Sequence, residues 1–186
     1  MKKMPILVTV AGAAVVAVAA CITMAEARAE RKQPEQAADV LSAKGMEVLR
    51  KPAKVEFFRI KPEPSDAAAE AIERYPVVAT GTTPDDAAER IRSILTDDDS
   101  YLFGVGKGCI IRPGVAIRLT GGDETTVSVI LCYECQILVL VVRDAAGKEL
   151  HNSGGVFDPS EAALVRLAKD AFPEDEDIQK LKDVGN

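Results

Sequence analysis

Apolar and polar positions along the chain fall into two periods, and each predicts an element. KVEFFRI at 54–60 is dense in β-branched and aromatic residues and is stopped by Lys61-Pro62, which predicts a strand. YPVVATG at 75–81 predicts a second strand that ends on a turn glycine. Between them, the alanines after Ser65 predict one or two helical turns. Ala87, Ala88, Ile91, Ile94 and Leu95 recur at helical spacing, behind an N-terminus marked by Thr83, Pro84, Asp85 and Asp86. Leu164, Leu167, Ala168, Ala171 and Phe172 form a second helical stripe, opened by Asp158-Pro159-Ser160-Glu161 and halted by Pro173. CIIRPGVAIRL at 109–119 and TTVSVILCYECQILVLVV at 125–142 read as two long strands joined by TGGDE, a strong hairpin signal. Pro113-Gly114 predicts a bulge or edge position in the first, and the second bends or splits near Gln136. Its final run, ILVLVV, is apolar on both faces and calls for a cover of helices. A short edge strand is expected within 148–157.

These elements predict one α+β domain over residues 54–173. It has an antiparallel sheet with a long central hairpin and two or three amphipathic helices packed on one face. Residues 21–53, rich in Ala and charge and interrupted by Pro34 and Gly45, read as a tether that is flexible or weakly helical and buries little. Residues 174–186 read as an acidic tail that carries at most a short helix.

Composition narrows the function classes. With 47% hydrophobic and 28% charged residues the chain is globular. Its 23 Lys and Arg against 29 Asp and Glu give a net charge of −6. An acidic chain without a basic stripe argues against nucleic acid as a partner. No Trp, three Tyr and five Phe leave little from which to build a stacking platform.

The N-terminus carries an address. Lys2 and Lys3 precede an apolar stretch from Ile6 to Ala20, the order of a secretory signal peptide and too short to span a bilayer. VAAC at 18–21 resembles the lipobox of bacterial lipoproteins, which implies cleavage after residue 20 and lipidation of Cys21. ARA at 27–29 offers ordinary signal peptidase an alternative site after residue 29. Ile22 is not the Asp that often retains lipoproteins on the inner membrane, so under this resemblance the outer membrane is the expected leaflet. The expectation is an exported protein, tied to the membrane through its lipid and facing the periplasm or the cell surface. The alternative is a soluble periplasmic or secreted protein.

KVEFFRI, TGTTPDDAAERIRSILTDDDSY, CIIRPGVAIRL and ILCYEC together resemble a set of small exported bacterial proteins with no assigned function. These carry a Cys before a Pro-containing strand and a Cys-aromatic-x-Cys on the next. The resemblance covers most of residues 54–172 and implies one compact α+β domain and no activity.

Both cleavage routes leave Cys109, Cys132 and Cys135 outside the cytosol, where a cysteine pair is more often a disulfide than a metal clip. On a continuous strand Cys132 and Cys135 point to opposite faces about 10 Å apart, too far for the roughly 7 Å a bridge allows. The CxxC lacks the helix N-terminus of a thioredoxin site, and Gln136 stands where haem attachment needs His. A hairpin closing around Gly121 to Asp123 pairs positions whose numbers total about 244, which sets Cys109 opposite Cys135. A bulge at Pro113-Gly114 shifts the register and favours Cys132 as the partner instead. The remaining thiol is expected to be a buried small hydrophobe.

Other candidates point to no reaction. His151, the single histidine, reads as a surface turn residue without nucleophile or orienting partner. GVGKG at 104–108 lacks the P-loop pattern, and DDDS at 97–100 lacks EF-hand spacing and reads as solvated helix-end charge. Glu134 is the acid expected to be partly buried, paired with Arg112 or Arg118. No catalytic residue, metal ligand or cofactor is indicated, and neither a protein partner nor a small-molecule ligand is specified. The expected function is a binding or structural role in the cell envelope, not an enzyme's. The alternative is a thiol-based redox or metal-handling protein using Cys109, Cys132 and Cys135.

Overall fold

The computed structural model describes residues 34–182; the signal segment, Cys21 and both cleavage sites lie outside them. The fold is α+β. Seven strands, β1 (Lys54–Ile60), β2 (Ala71–Ile72), β3 (Tyr75–Thr80), β4 (Val115–Thr120), β5 (Thr126–Cys132), β6 (Ile137–Arg143) and β7 (Glu149–Val156), form one sheet. Its order is β2-β3-β1-β4-β5-β6-β7, and every neighbour pair runs antiparallel. Among the described residues four α-helices accompany it: α1 (Ala37–Arg50), α2 (Ala87–Leu95), α3 (Glu161–Ala171) and the short α4 (Glu176–Gln179). Among the described residues no helix is long and apolar enough to cross a membrane.

Strand alternation sorts the sheet into two faces. Phe57, Val115, Ile117, Leu119, Val127, Val129, Leu131, Leu138, Leu140 and Val142 point to one, where they join the apolar stripes of the helices in the main core. The opposite face carries a second cluster of Phe58, Ile60, Ile72, Ala116 and Ile130. That cluster stays dry because the sheet curls. Glu73, between β2 and β3, bonds Arg143 on β6, although in a flat sheet β3 and β6 would lie about 19 Å apart.

The segment expected as a tether is in part a core element, a correction to the reading of 21–53. Ala37, Val40, Leu41, Val48 and Leu49 of α1 are at most 3% exposed. The helix lies on β6 at Gly45, where a Cβ would come to 3.4 Å from Val142 Cγ2. It is kinked at Ser42, whose φ of 60° and ψ of 164° interrupt the helix. The Ser42 hydroxyl accepts from Gly45 N–H at 3.3 Å and so caps the second half. The first half is capped from elsewhere: Asp98 accepts from Ala37 N–H at 2.7 Å, so one acid of DDDS serves α1 instead of standing free in solvent.

Several other expectations change. The alanines after Ser65 form turns and the two-residue strand β2 instead of helical turns. Thr83 does not cap α2, since its hydroxyl donates to the Val55 carbonyl and the helix begins at Ala87. The acidic tail is part of the fold through α4, whose Ile178 is 3% exposed.

Candidate functional site

The cysteine-bearing turn gathers the chemistry singled out in the sequence. The apolar run at 125–142 does split, and CYEC is no continuous strand: β5 ends at Cys132, and Tyr133 to Gln136 turn the chain into β6. Cys132 pairs with Ile137 to close this hairpin, and Gln136 takes a left-handed φ of 50° in place of a glycine. The strand expected at 109–119 shortens to Val115–Thr120. Glycines at 104, 106 and 108 and the missing donor of Pro113 leave 103–114 as a loop.

The register differs too. Val115 faces Leu131 and Thr120 faces Thr126, totals of 246 and not 244. Register alone therefore does not bring Cys109 to Cys135; the loop and the turn do. The two are at disulfide distance, with Cα atoms 6.5 Å apart, and Cys132 is the free thiol, fully buried. Its sulfur accepts from Arg112 N–H at 3.3 Å, which holds the returning loop against the end of β5.

Polar contacts fix the turn. The Gln136 side-chain amide donates to the Tyr133 carbonyl at 2.9 Å and to Glu161 at 3.1 Å, while the Gln136 backbone carbonyl accepts from Phe157 N–H. Lys107 reaches both Gln136 at 2.8 Å and Asp158 at 2.6 Å, so the lysine of GVGKG fastens its loop to the turn and to the start of α3. Tyr133 stacks edge-on against Phe157 and donates its hydroxyl to Leu164 at 3.1 Å. Burial, and secondarily the charge of Glu161, pushes its phenol far above the ordinary tyrosine value. It stays protonated and acts as a donor.

A shallow groove of about 210 Å³ runs beside the turn, lined by Arg59, Arg112, Pro113, Tyr133, Glu134 and Ile178, among others. Arg59 is committed to Asp175 at 3.0 Å and to the Gly114 carbonyl at 2.7 Å. Burial raises Asp175, but the Ile178 N–H and Arg59 outweigh it and hold the carboxyl below its usual range. Glu134 is exposed and does not form the expected pair. Arg112 lies 3.5 Å from Glu63, and Arg118 sits over the Phe58 ring at 5.6 Å. The turn breaks the strand before Glu134 and aims it at solvent.

His151 is not a turn residue: it lies on β7, opposite Val142, with Nε2 2.9 Å from the Val40 carbonyl of α1. It joins helix to sheet edge. Among the described residues no three His, Cys, Asp or Glu side chains gather to hold a metal ion, and no buried side-chain nitrogen or oxygen lacks a partner. What the site offers is a stapled turn beside a groove whose lining includes both charged and apolar side chains. Comparison with models of protein families, with curated proteins and with solved structures found no match.

Proposed function

We propose that this chain is an exported protein, lipid-anchored through Cys21, with a binding or structural role in the cell envelope. The observation that carries the reading is the pair Cys109 and Cys135 at disulfide distance, with Cys109 exposed on the surface. A surface disulfide persists in an oxidising compartment and is rare in the cytosol. The basic start at Lys2 and Lys3, the apolar stretch to Ala20 and the VAAC motif supply the matching address. Tyr133, Lys107, Gln136 and His151 each serve an internal structural contact, which supports the structural side of this reading.

Labelling with an alkyne-tagged palmitate in a diderm bacterium, followed by fractionation, tests the anchor. The wild type incorporates label and sediments with membranes, and Cys21→Ala loses both. Label retained in Cys21→Ala, or absent from the wild type, overturns lipidation.

Thiol redox chemistry is the competing reading, favoured by the exposure of Cys109 within a glycine-rich loop. Titration of the denatured protein separates the two. One free thiol before reductant and three after supports the staple. Three free thiols in protein taken directly from the envelope supports the redox role.

A further inference from the structure

The edge hairpin β2–β3 is attached to the sheet along only part of its length. Its ladder with β1 runs from Phe58 and Thr80 to Ile60 and Val77, broken by a bulge between Arg59 and Ile60. Beyond it, Lys61 N–H reaches the Pro76 carbonyl, and the tip from Ala71 to Pro76 forms just two strand pairs of its own. A two-stranded hairpin of this size does not hold itself together in water. Glu73 and Arg74 at its turn both adopt left-handed backbone, with φ of 48° and 74°. Neither is the Gly, Asn or Asp that tolerates this conformation without strain.

Two kinds of contact, apolar and charged, keep the tip down, and half-buried Tyr75 adds to the apolar one. Ile72 is 1% exposed and packs in the second apolar cluster with Phe58, Ile60, Ala116 and Ile130. The Glu73 carboxylate accepts from Arg143 Nη2 at 2.7 Å and Nε at 3.0 Å, and from the buried Ser128 hydroxyl at 3.1 Å. Charge-assisted, bidentate bonds of this kind are the strong ones. They hold the tip over β5 and β6, with which it shares no ladder.

We propose that the β2–β3 tip is a flap, latched by Glu73 on Arg143 and Ser128, which opens as a unit and uncovers Phe58, Ile60 and Ile130 while the rest of the sheet stays folded. The end of the β1 ladder, at Lys61 and Val77, is the hinge.

Amide hydrogen exchange read by mass spectrometry on the full chain tests this. Glu73→Gln keeps the shape and removes the charge. Exchange over 66–76 should rise about tenfold, with 126–132 and 137–143 unchanged. Ser128→Ala is a small change at a buried strand position and should retain the fold even if Glu73→Gln does not; it should raise exchange in the same segment by a smaller factor. Unchanged exchange over 66–76 in either folded variant would overturn the proposal. So would a parallel rise in every strand, which would make the tip an integral part of the core.

Discussion

Reduction of the Cys109–Cys135 bond removes a closure between positions 26 apart in sequence. For a loop of that size the chain-entropy relation gives about 3.5 kcal/mol of stabilisation at 25 °C, acting through the unfolded state. For a domain of this size each kcal/mol moves the melting midpoint by about 2–4 °C, so the midpoint should fall by about 7–14 °C. The assay is thermal unfolding of oxidised protein with and without a phosphine reductant, the broken bond verified by intact mass. Cys109→Ser should melt at the reduced midpoint and ignore the reductant. Cys132→Ala should keep the full difference between oxidised and reduced forms, since Cys132 takes no part in the bond. A midpoint unchanged by verified reduction would refute the entropic reasoning. Loss of the reductant effect in Cys132→Ala would refute the pairing.

Other outcomes follow from the packing and charges. Leu41→Ala should cost about 2–5 kcal/mol in urea unfolding, as for a fully buried core leucine; a near-zero cost would return α1 to the status of a tether. Asp98→Ala, which removes the cap of α1, should cost about 1 kcal/mol and raise amide exchange at Ala37 to Val40. Asp123 should titrate at about 2 by carbon-detected NMR, held down first by Lys44 at 2.8 Å and then by Thr125 N–H. Its folded value lies below the ordinary aspartate value of about 3.9, so the contact contributes fully above about pH 4 and is lost as pH falls toward 2. In Lys44→Gln the midpoint should move up toward the ordinary value.

Where one physical preference dominates, the chain is legible. KVEFFRI became β1 and the stripe from Leu164 to Ala171 became α3, because period agrees with burial in both; YPVVAT became β3 on its β-branched content, although none of its residues is fully buried. The hairpin around TGGDE formed as expected, with its register shifted from a total of 244 to 246 because the turn includes Glu124 at a φ of 63°. The CYEC turn was hidden by its own apolarity. No Gly, Asn or Pro marks it, and Gln136 takes the left-handed position that usually announces a turn. The pairing of Cys109 with Cys135 thus depends on loop geometry that strand parity does not describe. In α1 a signal was present: Ala37, Val40, Leu41, Val48 and Leu49 lie on one helical face. Alanine-rich, charged surroundings and the kink at Ser42 masked it. The Glu73 latch had no sequence signal, since it links positions 55 and 70 apart across a curled sheet.

The most direct test of the exported, stapled protein is a disulfide map of chain recovered from the envelope of cells that express it from Met1. Alkylation without reductant and digestion with trypsin and a glutamate-specific protease separates the sulfurs, since cleavage after Glu134 parts Cys132 from Cys135. The account predicts a Cys109 peptide linked to a Cys135 peptide, with Cys132 alkylated only after denaturation. A link from Cys109 to Cys132, or three freely alkylated thiols, would contradict it.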